Sequence, residues 1–198
     1  MVKIVTDSLS DITSDVAQGL GITVVPLTVL FGHEAYLDRV TITTDEFYRR
    51  LINGSVWPTT TQPTPKAFAD VYDKLAAETD EILVITLSSK MSGTYQSATG
   101  GKSMITKKVH VEVIDSQTVA MGLGLVVLAA AKKAQDGATL NELTDFVHHA
   151  LERSHLIIYF DTLKYLAKGG RIGKASGLLG SLLSVKPIAT VKDGEITP

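Results

Sequence analysis

Glu81-Ile82-Leu83-Val84-Ile85-Thr86-Leu87-Ser88-Ser89-Lys90-Met91-Ser92-Gly93-Thr94 decides the fold. Five nearly continuous apolar residues bounded by polar ones read as a strand covered on both faces, the hallmark of a central parallel strand. The hydroxyl-rich turn Ser88 to Thr94 then leads into a helix closing near Gly100-Gly101. Strand and helix periods alternate outward from there, as in a parallel sheet with helices on its faces. Upstream lie a short buried strand at Val2 to Val5, a helix from about Ser14 to Leu20 stopped by Gly21, and a β-branched stretch from Ile22 to Phe31. Pro26 makes that stretch a sheet edge or an irregular strand.

Two helices announce their starts. Thr43 followed by Glu46 predicts a capping box, with Gly54 closing that helix. After a loop spanning Ser55 to Gln62, Thr64 and Pro65 open a second helix whose Phe68, Val71, Tyr72 and Leu75 share one face. Downstream, Val109 to Ile114 is a strand, Thr118 to Ala134 an apolar helix, and Thr139 with Glu142 caps a helix facing the core with Leu140, Leu143, Phe146, Val147, Ala150 and Leu151. Residues 1–153 therefore read as one α/β domain. Residues 154–198 read as the start of a second: a strand at Leu156 to Phe160, a short helix at Thr162 to Lys168, a turn at Gly169 to Gly173, a helix at Lys174 to Ser184 and a strand at Val185 to Val191. Asp193-Gly194 reads as a hairpin turn whose second strand is missing. The fold expected is a Rossmann-like parallel-sheet α/β domain with an incomplete second α/β domain.

Composition narrows the function. Of 198 residues 44% are hydrophobic and 20% charged, enough apolar content for a packed core. Nineteen Lys and Arg against 21 Asp and Glu give a net charge of −2, which excludes a strongly basic nucleic-acid binder. The absence of cysteine excludes disulfides, thiolate metal sites and a cysteine nucleophile. The apolar run Val119 to Ala131 is too short to span a bilayer, and the N-terminus turns polar too early for a secretory signal. A cytoplasmic protein without an integral membrane segment is the expectation.

Ligands of parallel α/β sheets bind beyond the carboxyl ends of the strands. Hydroxyl and carboxylate residues gather there: Thr6-Asp7-Ser8, Thr59-Thr60-Thr61-Gln62, Ser88-Ser89 with Ser92-Gly93-Thr94, and Asp115-Ser116. Each alone is an ordinary helix cap. Together they predict a site for a small anion beside apolar lining. Gly93 permits close backbone approach, and Arg171, between glycines in Gly169-Gly170-Arg171-Ile172-Gly173, either presents its guanidinium to an anion or satisfies carbonyls at the preceding helix end. A phosphate loop is disfavoured, because Gly173-Lys174 would need glycine where Lys168 stands. Gly122-Leu123-Gly124 is read as packing. His148 and His149 are read as surface positions, no histidine pairs evidently with Ser92 as a base, and neither catalytic nor metal-ligating residues are assigned.

Five motifs in order carry a resemblance over the whole chain: Thr6-Asp7-Ser8; Thr60-Thr61-Gln62-Pro63; Ser92-Gly93-Thr94-Tyr95; Asp115-Ser116; and Asp161-Thr162-Leu163 through Gly169-Gly170-Arg171-Ile172-Gly173. This set resembles the DegV family of bacterial fatty-acid-binding proteins. The resemblance implies two α/β domains with a long-chain fatty acid held between or beside them, no other cofactor, and no catalysis by the chain itself. It implies that Thr61, with Thr60 beside it, and Ser92 hold the carboxylate, that Gly93 and Thr94 support them, and that Arg171 lies near the head group. It also implies a carrier role in which the fatty acid is presented to a fatty acid kinase for phospholipid synthesis. Thr61 stands where serine is more usual, Met91 where leucine is common, and family members continue past the Asp193-Gly194 turn with a histidine near the head group. A kinase-like enzyme subunit of related fold and an interaction module pairing through the Val185 to Val191 edge are the competing expectations.

Overall fold

The computed structural model describes residues 1–178 and 186–198. Its centre is a four-stranded, all-parallel sheet of β1 (Lys3–Asp7), β2 (Ile22–Val25), β6 (Glu81–Thr86) and β7 (His110–Asp115), in the order β2-β1-β6-β7. The apolar run in β6 is explained by burial from both sides. Leu83 and Ile85 point into one core with Ile4, Ile22 and Ile114, while Ile82 and Val84 point into another with Val5 and Val25. The first core is covered by α1 (Ser14–Leu20), α5 (Ala120–Gln135) and α6 (Leu140–Arg153), through Ala17, Leu123, Val127, Leu143 and Val147. The second is covered by α3 (Pro65–Leu75) and α4 (Thr94–Gly101), through Phe68, Tyr72 and Ala98. The Tyr72 hydroxyl is buried with its ring and donates to Ala98 O at 3.0 Å, which satisfies it. Helices on both faces of a parallel sheet are what the sequence predicts.

Chain order reverses beside β1, since β2 lies on one side of it and β6 on the other. That reversal opens a crevice at the carboxyl ends of β1 and β6. Asp7 and Leu87 meet there: the Leu87 N–H donates to Asp7 Oδ2 at 2.7 Å.

At Pro26 the chain leaves the parallel sheet, and a second, antiparallel sheet follows. It joins β4 (Glu34–Leu37), β3 (Thr28–Phe31) and β5 (Pro58–Thr61) in that order. The expected edge at Ile22 to Phe31 is thus two strands in two sheets, and part of the expected Ser55 to Gln62 loop is strand β5. α2 (Thr44–Asn53) packs on this sheet through Phe47 against Val29, Phe31 and Ile42. The Thr43–Glu46 pair makes only half a capping box. Thr43 Oγ1 accepts from Glu46 N at 3.2 Å, but the Glu46 carboxylate turns to Arg49 and Arg50. Two guanidiniums outcompete one backbone N–H for that carboxylate. At Thr139 the full capping box forms, with the Glu142 carboxylate accepting from Thr139 N at 2.8 Å.

A third sheet, order β10-β9-β8, joins β8 (Ile157–Tyr159), β9 (Ile188–Lys192) and β10 (Glu195–Thr197), all antiparallel. The hairpin after Asp193-Gly194 therefore does have its second strand, three residues long, which corrects the sequence expectation. α7 (Lys164–Lys168) is shorter than expected at its start. Of the helix expected at Lys174 to Ser184, the described part is a 3-10 turn over Gly173–Leu178; residues 179–184, and Val185 of the following strand, lie outside the described residues. Gly173 adopts φ +55°, and a Cβ there would stand 2.7 Å from Ile196 O, so this turn needs glycine. Among the described residues no helix is long and apolar enough to cross a membrane.

Candidate functional site

The polar clusters at the strand ends divide into two kinds. One kind is consumed by the fold. Thr6 Oγ1 donates to Ile85 O at 2.8 Å, Ser8 Oγ accepts from Leu27 N at 3.2 Å, and Asp115 Oδ1 accepts from Ser89 N at 3.1 Å and Gln117 N at 3.0 Å. Ser88 Oγ donates to Gly194 O at 2.7 Å and so ties the first sheet to the third. Asp7 is buried and accepts from Leu87 N and from Leu9 N at 3.0 Å, yet loss of water pushes its pKa up to about 7. Of these residues Asp7 is a cap, of the 3-10 turn Ser8–Ser10, and Thr6, Ser8 and Ser88 are held by bonds to other strands and loops.

The other kind borders a cavity of about 460 Å³ in the crevice. Its walls come from all three sheets. Leu9, Leu87 and Val119 belong to the parallel sheet and its loops, Val29 and Thr60 to the β3–β5 sheet, and Ile158 and Ile196 to the third sheet, with Phe160 directly after β8. Asp38, Thr60, Thr61, Gln62, Ser92 and Arg171 supply polar groups to an otherwise apolar lining. A mostly apolar cavity with a few convergent polar groups is the usual form of a small-molecule site.

Local structure explains how each polar residue arrives. β5 is antiparallel to β3 with Thr60 opposite Val29 and Thr61 opposite Thr28. Directly opposed residues share a face, so Thr60 lies on the face of buried Val29, and Thr61 on the other. Ser92 sits in the turn after β6, where its N–H and that of Met91 both donate to Ser88 O, at 3.1 and 3.0 Å. Its Oγ is 2.8 Å from Thr94 Oγ1, and α4 begins at Thr94 without a side-chain cap. The positive end of that helix therefore lies beside the Ser92 hydroxyl, a setting that favours an anion.

Gly93 and Thr94 do not border the cavity. Thr94 is buried and orients Ser92. Gly93 provides clearance for the Gln62 side chain: a Cβ there would stand 3.0 Å from Gln62 Nε2. Its close approach is to Gln62, a wall residue that sequence reasoning had only as a loop neighbour. Arg171 is exposed and donates from Nε to Met91 O at 3.2 Å and from Nη1 to Gly169 O at 2.7 Å. The carbonyl-satisfying alternative is therefore realised, and it also fixes the third sheet's turn against the Ser92 turn. Val119 and Ala120 are wall residues missed in the sequence; positive φ at Gln117 (52°) and Ala120 (55°) kinks the backbone there, which no residue type signalled.

A larger groove of about 620 Å³ adjoins the cavity, and Phe47, Thr60, Leu166 and Arg171 line both. Its far walls are the Tyr48, Leu51 and Ile52 face of α2, and Trp57 stacked on Tyr165 at 5.3 Å with Lys168 Nζ 3.8 Å from the indole centroid. The signal available for it was Trp57, the chain's single tryptophan, placed in a polar stretch.

The family model described as "Uncharacterised protein, DegV family" matches residues 1–198. A DegV domain-containing protein of Caldanaerobacter subterraneus subsp. tengcongensis is 44% identical over 195 residues, covering 98% of this chain and 69% of the relative. A Thermus thermophilus structure described as fatty acid binding of a DegV family protein superposes with a TM-score of 0.89 at 37% identity, covering 99% of this chain and 69% of that one. A stearic acid-binding protein of Eubacterium ventriosum superposes at 0.92 and 30% identity, covering 100% and 69%. The chain thus spans about 69% of the length of these relatives. With the family match running from end to end and the polar strand-end clusters at the crevice, the chain belongs to the DegV family.

Proposed function

We propose that the 460 Å³ cavity binds a long-chain fatty acid, its carboxylate held by the hydroxyls of Thr60 and Ser92 with Thr61 beside them, and its chain along the apolar walls. The observation that carries this is the pairing of an apolar cavity with the hydroxyls of Thr60, Thr61 and Ser92 at one edge. Solved relatives described as fatty-acid-binding support it.

Magnitudes divide the labour. A sixteen-carbon tail at ~0.8 kcal/mol per buried CH₂ has a gross transfer term on the order of 12 kcal/mol. Hydrogen bonds to the carboxylate contribute roughly 1.5–3 kcal/mol each. The tail drives binding while the hydroxyls select and orient the head, and association costs bring the net affinity well below the sum. Arg171 ties the turn of Met91 and Ser92 to Gly169 through Nε and Nη1 and stands beside the head group.

Nothing in this assignment asks the chain to make or break a bond. The role that follows is a cytoplasmic carrier that shields the tail and presents the carboxylate to a fatty acid kinase. Residues 1–153 and 154–198 then act as two units that close on the ligand. Organic extraction of protein purified without added lipid should release one fatty acid per chain on mass spectrometry. Ser92→Ala should weaken fatty-acid affinity about tenfold, the loss of one charge-assisted hydrogen bond. Wild-type protein that is empty and titrates no fatty acid would overturn the reading.

A further inference from the structure

The cavity and the groove are both apolar, and the residues between them are not all so. Thr60 and Arg171 line both spaces, joined in the partition by Phe47 and Leu166. The head-group end of the cavity therefore faces a second apolar compartment. That compartment is a built one: Trp57 stacks on Tyr165 in its wall, binding the segment before β5 to α7, and Phe47 is fixed by a tilted contact to Phe31 at 6.0 Å and an edge contact to Tyr48 at 5.5 Å. Its outer lip carries Ile52, 70% exposed, and Tyr48, 54% exposed. None of its lining residues is acidic. Exposed apolar side chains gathered in one concave surface mark a ligand or partner site rather than ordinary surface.

We propose that this groove is a second ligand subsite, and that the protein accepts a long-chain acyl ester. The acyl chain lies in the cavity, the ester linkage at Thr60 and Arg171, and the alcohol-derived chain in the groove against Leu51, Ile52 and Trp57. The inference rests on the fatty-acid reading of the cavity and extends it to ligands with apolar groups on both sides of the polar one. An ester oxygen accepts hydrogen bonds as a carboxylate does, and Thr60 and Arg171 are both donors. The occupant follows from continuity: a second chain attached at the carboxyl carbon emerges from the cavity at the partition.

The test compares decanoic acid with octyl decanoate, each delivered from cyclodextrin and measured by displacement of a fluorescent fatty acid. Wild type should bind the ester at least as tightly as the acid. Ile52→Glu, a change at an exposed position that leaves the core intact, should weaken the ester about tenfold, what losing roughly two buried CH₂ groups costs, and leave the acid within about twofold. An ester that fails to compete while the acid binds overturns the second subsite. So does an equal loss for both ligands, which would put the free acid's own tail in the groove. Wild type that binds neither ligand overturns the fatty-acid reading itself, and Leu51→Glu, read the same way, serves as the second variant on the groove wall.

Discussion

Thr60 and Thr61 differ by one pleat of β5, and that difference decides which hydroxyl matters. Thr60 shares its face with Val29, a cavity wall residue; Thr61 lies on the opposite face and reaches the cavity only from the strand's end. Replacing each by valine keeps shape and removes the hydroxyl. Thr60→Val is expected to weaken fatty-acid binding about tenfold and Thr61→Val about twofold or less, by the same displacement titration. Equal losses would mean that the strand is not pleated regularly at its end. Asp7 is the other residue with a distinctive expectation. Burial lifts its pKa from 3.8 to about 7, so the folded chain holds a proton that the unfolded chain releases. Stability from this group is full below about pH 4 and falls as pH rises to about 7, by on the order of 4 kcal/mol at most. Glu46 and Asp73, whose carboxylates are held below their ordinary range by arginine and by Thr106 respectively, act in the opposite sense and at lower pH. Denaturant unfolding at pH 4, 5.5 and 7 should show Asp7→Asn losing less stability than wild type across that range. Parallel curves for the two proteins would show that the two backbone N–H donors offset the burial.

Elements differ in how plainly the sequence announces them. β6 was readable because burial on both faces leaves no polar residue in its middle, and α3 because Thr64 and Pro65 mark its start. β5 was hidden. Pro58-Thr59-Thr60-Thr61 has no apolar alternation, and its strand state comes from pairing with β3, a partner 27 to 33 residues away in the chain. β10 was hidden for a simpler reason: three residues carry too short a pattern to read. The site was legible to the same degree. Serine and threonine at the strand ends pointed to the crevice, but caps and ligand-facing hydroxyls look alike in sequence, and only tertiary contacts separate Ser88 from Ser92. The two capping pairs show the limit most clearly, since Thr43–Glu46 and Thr139–Glu142 have the same spacing and only the second closes. Arg49 and Arg50 make the difference. Accordingly Thr139→Ala should destabilise by about 1 kcal/mol in denaturant unfolding and Thr43→Ala by clearly less, because Thr139 Oγ1 both accepts from Glu142 N and donates to the Glu142 carboxylate, whereas Thr43 Oγ1 only accepts from Glu46 N.

At the scale of the whole molecule, three sheets meet at one cavity, and few polar contacts join them. Ser88 Oγ to Gly194 O and Arg171 to Met91 O connect the first sheet with the third. The stack of Trp57 on Tyr165 connects the segment leading into β5 with α7. A ligand in the cavity touches all three sheets at once, so its binding energy becomes cohesion between them. Fatty acid at one hundred times its dissociation constant should add about 2.7 kcal/mol to unfolding. Ser88→Ala leaves the buried Gly194 carbonyl without its donor and should cost about 1–3 kcal/mol. The informative result is the combination. If the ligand bridges the sheets, saturating fatty acid should restore a single unfolding transition to Ser88→Ala protein whose Trp57 fluorescence, reporting the region beside α7, otherwise changes at lower denaturant than far-ultraviolet circular dichroism, reporting mainly the helices. Two transitions that stay apart with ligand bound would confine the fatty acid to one side of the crevice, and would remove the third sheet from the binding site.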